Sequence, residues 1–501
     1  MYVFKLTRRY DEVIPTARDI GGYFWKGDRI LYVKDFGGDE NFHVVSVNLK
    51  GEGWMTDHDG KLRGAGATDG VNTTLLYREN ETDAFKPILT TNFKEQVAPL
   101  LFTFDNKRLI VNSNRGRDKS VIFEFDPVTA KEGKLIGEHA DVDMGSVSYS
   151  RKRKVLTTAN FTTWKGERKF LDKDAETMYK TVEAKLPGYE IAFVSSNKAE
   201  DKYIVATYND KTRGKRYLYD KATGTLDFIA DISPWMPENE LADMKPISYK
   251  SRDGLTINGY LTVPKGVAAK NLPVVVNPHG GPWARDAWGF NPEVQFLANR
   301  GYAVFQMNFR GSTGYGRKFW EASFKQWGKS MQDDVTDGVQ WLVKEGIADP
   351  KRIAIYGGSY GGYTTLAGIA FTPDLYAAAV DYVGVSNLFT FMGTIPPYWK
   401  PYLEMLHEMV GHPEKDKELL TATSPAFHAD KIKTPLFVAQ GAKDPRVNIA
   451  ESDQMVEALK KRGVAVEYMV KDNEGHGFRN EENRFDFYEA MEKFLAKHTK
   501  R

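Results

Sequence analysis

The chain has 501 residues, which is too long for one core and fits two domains of ordinary size. Its 69 basic and 67 acidic residues leave a net charge of +2, so the composition gives no indication of binding to nucleic acid or to an anionic membrane. The absence of cysteine excludes disulfides, thiolate catalysis and cysteine-bound metal, and no cofactor is predicted.

The start of the chain carries no targeting signal that the sequence makes visible. Basic residues between Met1 and Asp11 are not followed by an apolar run, and no stretch approaches the roughly 20 apolar residues of a membrane span. We therefore expect a cytoplasmic protein, or an exported one if the start of the chain has been trimmed. The sequence leaves open whether the chain forms a homo-oligomer.

Short strands and turns repeat over residues 21–231. In each copy a charged turn leads into an apolar strand, and about 16 residues later an apolar residue precedes a polar turn. Ile110, Leu156 and Ile204 hold equivalent positions that are 46 and 48 residues apart. A unit of this length holds the four strands of a propeller blade. We predict a β-propeller domain over residues 1–235, with an irregular β-sandwich as the alternative.

The first copies of the repeat stand closer together than the later ones. Two early copies are visible around Ile30–Tyr32 and Lys61–Leu62, which makes five blades legible. From Asn48 to Leu62 there are only 14 residues, against 30 and 32 at two later junctions. The first two copies cannot both be complete, so we expect an open or irregular cap of five blades or fewer, poorly packed around residues 48–62.

After Trp235 strands and helices alternate, which is typical of a mainly parallel sheet. We therefore predict an α/β domain over residues 240–501. Short apolar runs predict strands at 273–277, 302–307, 352–356, 377–383, 436–439 and 464–470. Apolar residues at helical spacing predict helices at 294–300, 333–344, 363–371, 450–461 and 484–497.

A G-x-S-x-G sequence, Gly357 to Gly361, lies between the third of these strands and a helix. In an α/β-hydrolase this strand–turn–helix setting presents the nucleophilic serine at the edge of the sheet. Flanking glycines are needed because the serine sits on a strained turn where neighbouring side chains would clash. The sequence therefore predicts an α/β-hydrolase catalytic domain with Ser359 as its nucleophile.

The acid and the base of such a site follow the serine, each in a loop after a later strand. Among the five histidines after Ser359, we choose His476, because it directly follows an apolar strand and stands between two glycines. Asp444 lies in the loop after the preceding strand, and Asp381 and Asp430 are weaker rivals. Asp444 would orient the imidazole that takes the proton of the serine hydroxyl.

The negative oxygen of a tetrahedral intermediate needs two N–H donors. The backbone N–H of Tyr360, directly after the nucleophile, is one of them. For the other we choose Gly281 in the loop Pro278–Pro282, because bare glycine backbone lets a substrate carbonyl approach closely. His279 of the same loop precedes the nucleophile in the chain, and we expect it to be a structural hydrogen-bonding residue.

Four segments resemble the prolyl oligopeptidase family of serine peptidases, and within it the acylaminoacyl-peptidase-like branch. They are His279–Pro282, Asn308–Gly316, Gly357–Tyr363 and Gly475–Gly477. The resemblance is specific over residues 240–501 and depends on the repeat alone before residue 235. It implies a propeller that covers the active site and admits peptides but not folded proteins.

The resemblance also implies a substrate pocket for the residue on the acyl side of the cut bond. The residues that match its positions are Tyr360, Val385, Leu388, Phe391 and Val447. Core packing is an equally good interpretation of Val385, Leu388 and Phe391. Arg446 matches a position that holds a peptide carbonyl in dipeptidyl-peptidase relatives, and pairing with a propeller carboxylate is its alternative.

The predicted function is a serine peptidase that cleaves short peptides through an acyl-enzyme intermediate, of acylaminoacyl-peptidase or oligopeptidase type. The alternatives are a dipeptidyl-peptidase-type exopeptidase and a carboxylesterase on the same fold. Dipeptidyl peptidases grip a free amine with two consecutive glutamates, which residues 1–240 lack, although separated acids could replace them. A propeller favours the peptidase over the esterase. An interaction protein with an inactive hydrolase domain is disfavoured, because every predicted catalytic residue is present.

Overall fold

The computed structural model of the chain describes residues 53–499 and, before them, the backbone of three strands between residues 22 and 44. In this part of the chain, five antiparallel sheets follow one another as far as Asp231, and strands that are consecutive in sequence pair with each other. Their strands are β1 (Gly22–Lys26), β2 (Arg29–Lys34), β3 (His43–Val44); β4 (Trp54–Thr56), β5 (Leu62–Thr68), β6 (Asn72–Tyr77), β7 (Lys86–Asn92); β8 (Val97–Phe102), β9 (Leu109–Ser113), β10 (Val121–Asp126), β11 (Lys131–Gly137); β12 (Met144–Ser150), β13 (Val155–Thr162), β14 (Gly166–Phe170); and β15 (Glu190–Ser196), β16 (Lys202–Tyr208), β17 (Lys215–Asp220), β18 (Leu226–Asp231).

The repeat predicted from the sequence corresponds to these sheets. Ile110, Leu156 and Ile204 lie in β9, β13 and β16, each the second strand of its sheet. The two earlier copies also fall on second strands, β2 and β5. A recurring charged turn and apolar strand therefore marks the same structural position in all five sheets.

The first two copies differ in strand number. The second is a complete sheet of four strands, β4 to β7, whereas the first has three strands within the described backbone. The part of the predicted poorly packed segment around Asn48 lies outside the described residues. Where the description resumes, Trp54 is 42% exposed and its ring centroid lies 5.8 Å from that of Phe85.

An 11-residue helix, α1 (Lys173–Glu183), lies in the chain between the fourth and the fifth sheet, where the sequence pattern predicts only a polar turn. Asp172 is its N-cap, because one carboxylate oxygen accepts a hydrogen bond from the backbone N–H of Ala175 at 2.9 Å. An aspartate before an amphipathic stretch is compatible with both a turn and a helix start, so the turn predicted from the repeat is wrong here.

From Met244 onward the strands form one mixed sheet of eight, in the order β19-β20-β22-β21-β23-β24-β25-β26. The six strands that the sequence predicts, β21 to β26, are all parallel, and two antiparallel strands, β19 and β20, precede them. The eight strands are β19 (Met244–Lys250), β20 (Thr256–Thr262), β21 (Leu272–Val276), β22 (Ala303–Asn308), β23 (Ala348–Gly358), β24 (Ala378–Tyr382), β25 (Leu436–Gly441) and β26 (Val466–Lys471).

The five predicted helices of this part are present, with shifted ends, as α2, α4, α5, α9 and α10. Four short helices were not predicted from the sequence. The helices are α2 (Pro292–Asn299), α3 (Arg317–Glu321), α4 (Ser330–Lys344), α5 (Tyr360–Phe371), α6 (Leu388–Gly393), α7 (Leu403–Met409), α8 (Lys417–Thr423), α9 (Ile449–Lys461) and α10 (Glu481–Thr499).

Helices cover both faces of the eight-stranded sheet. Alternate residues of each strand point to opposite faces, so that Val274 and Val276 belong to one apolar core and Val275 to the other. Helices α4, α5 and α9 pack on the first face, and α2 and α10 pack on the second. The carboxyl ends of the parallel strands therefore meet at one edge, where loops can bring residues from distant parts of the chain together.

The loop between β22 and α3 joins this sheet to the third and fourth antiparallel sheets. Asp143 N–H donates to the carbonyl of Gly314 at 2.9 Å, and the ammonium of Lys119 donates to the carbonyl of Tyr315 at 2.7 Å. A further contact comes from the loop after β21, where the Arg285 guanidinium donates to the carbonyl of Thr163 at 2.7 Å. A cavity of about 620 Å³ lies at this junction, lined from both sides.

Candidate active site

Ser359 lies between the end of β23 and the first residue of α5 and is only partly buried. Its backbone has φ +59° and ψ −118°, a conformation that costs energy for any residue with a side chain. A Cβ atom at Gly357 would lie 2.5 Å from the carbonyl carbon of Gly361, and one at Gly361 would lie 2.3 Å from the carbonyl oxygen of Pro278. Both glycines are thus required by the contacts of the turn with itself and with the neighbouring loop.

Asp444 and His476 are brought together from the loops after β25 and β26. Asp444 Oδ2 lies 2.7 Å from His476 Nδ1, and the carboxylate side chain is fully buried. Its other oxygen accepts hydrogen bonds from the backbone N–H groups of Arg446 and Val447, both at 2.9 Å. The carboxylate is thereby fixed on one side, which leaves its second oxygen to orient the imidazole.

The two loops also touch through their backbones. Lys443 N–H donates to the carbonyl of Glu474 at 2.9 Å, and a Cβ atom at Gly441 would lie 2.1 Å from the carbonyl oxygen of Gly475. Only glycine therefore fits at position 441, where the loop of the acid passes the loop of the histidine. Among the described residues, no hydrogen bond joins the Ser359 hydroxyl to His476.

Glu474, two residues before His476, is a further organising residue that the sequence did not single out. Its buried carboxylate accepts hydrogen bonds from the backbone N–H groups of Arg479 and Asn480 at 3.0 and 2.8 Å and from the Asn483 amide at 2.8 Å. Burial raises the pKa of Glu474, but the hydrogen bonds from these donors lower the pKa by a larger amount, so it lies below its ordinary value. The charged carboxylate anchors the histidine loop to the start of α10.

The loop proposed for the second oxyanion donor lies against the nucleophile turn. A Cβ atom at Gly280 would lie 3.5 Å from Cβ of Ser359, and Gly281 adopts φ +125°. His279 Nδ1 lies 2.7 Å from the carbonyl oxygen of Gly280, and its Nε2 lies 2.9 Å from the Ser312 hydroxyl. Burial lowers the pKa of His279 to about 4, so this imidazole stays neutral and acts as a hydrogen-bonding residue of the loop.

The five residues expected to line a substrate pocket all belong to one apolar cluster, and none is more than 6% exposed. Trp327 lies beside two of them, with its ring centroid 4.6 Å from that of Tyr360 and 6.2 Å from that of Phe391. The cluster members are Tyr360, Val385, Leu388, Phe391 and Val447. Such burial is compatible with the walls of a pocket and with core packing, the two interpretations that the sequence left open.

Glu451 of α9 holds the segment that carries Val385 and Leu388. Its carboxylate accepts hydrogen bonds from the backbone N–H groups of Ser386 and Asn387 at 3.0 and 2.8 Å. Arg446 lies in the loop of Asp444 and is partly exposed. Position 446 thus lies beside the acid at the same sheet edge.

Neither rival aspartate forms a hydrogen bond or an ion pair with His476 in the described part of the chain. Asp381 is fully buried in β24, and neither of its carboxyl oxygens has a well-formed hydrogen bond among the described residues. Burial raises the pKa of Asp381 to about 7. Asp430 is exposed in a 3-10 turn, Pro425–Lys431. Asp444 is thus the carboxylate that this fold brings to His476.

The described residues lack two other kinds of feature. No helix in that part of the chain is both long and apolar enough to cross a membrane. No group of three or more acidic or histidine side chains there could hold a metal ion.

Comparison with known proteins gives consistent matches. A sequence profile described as the prolyl oligopeptidase family matches residues 288–501. Dipeptidyl aminopeptidase BIII of Pseudoxanthomonas mexicana is 35% identical, and the match covers 96% of this chain and 80% of that enzyme. Their alignment runs over 562 positions, 61 more than the whole length of this chain, so that enzyme has residues inside the matched region that are missing here.

Solved structures show the same fold at lower identity. A puromycin-hydrolyzing peptidase of Mycobacterium tuberculosis superposes with a TM-score of 0.76 at 22% identity, covering 97% of this chain and 80% of that one. An acylaminoacyl peptidase of Pyrococcus horikoshii superposes with a TM-score of 0.67 at 18% identity, covering 98% and 83%. The likeness extends over both the antiparallel sheets and the eight-stranded sheet.

Proposed function

The chain belongs to the prolyl oligopeptidase family of serine peptidases, and on that premise we propose that Ser359, Asp444 and His476 form its catalytic triad. The observation that carries the proposal is the buried contact of 2.7 Å between Asp444 Oδ2 and His476 Nδ1. It lies at the carboxyl edge of the sheet, where the strained turn also presents Ser359. These are the two relations that a serine hydrolase needs, an oriented base and an exposed nucleophile.

The mechanism follows from these positions. The Ser359 hydroxyl attacks the peptide carbonyl carbon while His476 Nε2 takes its proton, and Asp444 stabilises the imidazolium that forms. The N–H groups of Tyr360 and Gly281 donate to the negative carbonyl oxygen. His476 then returns the proton to the departing amine, which leaves an acyl-enzyme. Water hydrolyses that ester with the same histidine as base.

The test combines a covalent probe with a matched pair of variants. Ser359→Ala should abolish labelling by a fluorophosphonate and lower kcat on an aminoacyl anilide by at least about 10³-fold. Ser330→Ala, a serine at the start of α4 outside the site, should behave like the unmodified enzyme. Peptidase activity that survives in Ser359→Ala would refute the assignment of the nucleophile.

For the substrate we propose short peptides with a blocked or acylated amino end. The missing pair of consecutive glutamates supports this choice over capture of a free amine. Tyr360, Val385, Leu388, Phe391 and Val447 form the pocket for the residue before the cut bond. An aminoacyl ester hydrolysed with no activity on the matching anilide would instead favour a carboxylesterase.

A dipeptidyl-peptidase-type activity is the second candidate, because the relative that matches along 96% of this chain is a dipeptidyl aminopeptidase. Glu167 and Asp143 line the cavity at the junction, and separated acids of this kind could hold a free amine. A dipeptide anilide and its N-acetylated form separate the candidates. Preference for the acetylated form supports the first, and a strict need for the free amine supports the second.

We further propose that residues 1–235 form an incomplete β-propeller over a catalytic domain of residues 240–501. Five successive antiparallel sheets support this architecture. The relative's extra residues are compatible with the shortening, because their number exceeds one repeat of 46 to 48 residues. A cap with fewer blades leaves a wider opening above the sheet edge than a complete ring would.

A further inference from the structure

Tyr382 is bonded to the backbones of two catalytic loops at once. It is the last residue of β24, which lies between the strand of the nucleophile and the strand of the acid. Its carbonyl oxygen accepts a hydrogen bond from Ser359 N–H at 2.9 Å. Its phenol oxygen accepts one from Phe478 N–H, two residues after His476. The residue therefore spans the gap between nucleophile and base.

The ring of Tyr382 also fits against the glycines of both loops. A Cβ atom at Gly358 would lie 3.4 Å from Cδ1 of the ring, and one at Gly477 would lie 3.5 Å from the phenol oxygen. On its other side the ring stacks on Phe487, with centroids 4.6 Å apart. Burial raises the pKa of the Tyr382 phenol, so its oxygen stays a neutral acceptor at the pH values where peptidases are assayed.

We propose that Tyr382 is a positioning residue that sets the placement of the His476 imidazole relative to Ser359. The proposal rests on the proposed triad. Asp444 fixes the rotation of the imidazole through Nδ1, but in the described part of the chain no hydrogen bond joins its carboxylate to residues 357–361. Tyr382 supplies a hydrogen-bonded connection between the two, because it joins the backbone of the histidine loop to the backbone of Ser359 itself.

The effect of this link should be visible in the chemical step. Tyr382→Phe keeps the stacked ring and removes only the acceptor of Phe478 N–H. A histidine displaced by a fraction of an ångström transfers the proton less efficiently, so kcat should fall about tenfold while KM stays within about twofold. The rate of fluorophosphonate labelling should fall by the same factor, because it depends on the same proton transfer.

Tyr488→Phe is the matched control. The Tyr488 phenol donates to Glu293 at 3.1 Å within the same aromatic layer, and among the described residues it makes no hydrogen bond to the loops of the proposed triad. Its loss should alter the melting temperature but neither kcat nor the labelling rate. A Tyr382→Phe enzyme that behaved like this control, with lower stability and normal kcat, would overturn the proposal.

A double variant separates this proposal from the assignment of the triad. In a His476→Ala background, Tyr382→Phe should cause no further loss of the residual activity, because its effect acts through the histidine. An additional tenfold loss there would show that Tyr382 acts by another route and would overturn the proposal while leaving the triad intact. Full activity of His476→Ala itself would refute the triad and, with it, the role of Tyr382.

Discussion

Asp444→Asn is the substitution whose consequence the geometry defines most sharply. The side chains of aspartate and asparagine have nearly the same shape, and the amide oxygen of the asparagine can keep both hydrogen bonds from Arg446 N–H and Val447 N–H. The NH₂ group then faces His476 Nδ1, where the carboxylate oxygen stood at 2.7 Å. A donor at that place forces Nδ1 to accept and puts the single imidazole proton on Nε2, the atom that must accept the proton of Ser359.

The expected loss is therefore that of a histidine in the wrong tautomer, about 10⁴-fold in kcat, with KM and fold stability little changed. Steady-state hydrolysis of an aminoacyl anilide measures the loss, and thermal unfolding monitors the fold. Asp472→Asn, an exposed carboxylate in the histidine loop, is the control and should retain normal kcat. An Asp444→Asn enzyme within tenfold of normal activity would refute the proposed role of the aspartate.

Three other predictions concern substrate binding, stability and the cap. Arg446→Ala should chiefly raise KM, since a guanidinium suits a peptide carbonyl; a large fall in melting temperature with unchanged KM would favour a structural role. Asp381 has a pKa of about 7 in the fold against about 3.9 in an unfolded chain, so its contribution to stability is present below pH 4 and is lost between pH 4 and pH 7. Asp381→Asn should remove that loss. In urea unfolding, the free energy of unfolding of the variant should exceed that of the unmodified enzyme by up to about 4 kcal/mol at pH 8 and should equal it near pH 4. A gain in the free energy of unfolding that did not depend on pH would contradict the reasoning. An open cap should allow cleavage of unfolded casein beside a blocked dipeptide anilide, and strict refusal of casein would indicate a closed one.

Strand and helix patterns allowed most of the fold after Trp235 to be predicted from the sequence. Strands β21, β22, β24 and β25 are buried along most or all of their length and so appear as mainly apolar runs, and the same holds for the second half of β23. Strand β26, at the edge of the sheet, is mainly apolar although none of its residues is fully buried. Strands β19 and β20 lack that signature, because residues such as Lys245 and Asn258 alternate with buried ones, and they were not predicted. Helices α6 to α8 were also missed, since six or seven residues are too few for a helical period to stand out.

The residues that we propose for the triad could be selected from the sequence, but the residues that hold them in place could not. Ser359, Asp444 and His476 each follow a strand, so topology alone brings them to one sheet edge. No sequence motif indicates a role for the supporting residues Tyr382, Glu474 and Glu451. Their contacts join residues that are up to 96 positions apart in the chain, or bind a loop to the helix that follows it. Spacing in a single sequence carries no signal for such long-range hydrogen bonds.

Glycine provides the common physical principle of this site. At positions 361 and 441 an added Cβ atom would meet a carbonyl oxygen of another loop at 2.3 and 2.1 Å, far inside van der Waals contact. The oxyanion loop therefore lies directly on the nucleophile turn, and the loop of Asp444 lies directly on that of His476, backbone against backbone. Backbone contacts have no rotamers to adjust, so each of these two pairs of loops is held in place before a substrate arrives, and Tyr382 joins one pair to the other. The glycines that mark this site in the sequence thus make its geometry precise, and an alanine at position 441 would have to separate the acid from its histidine.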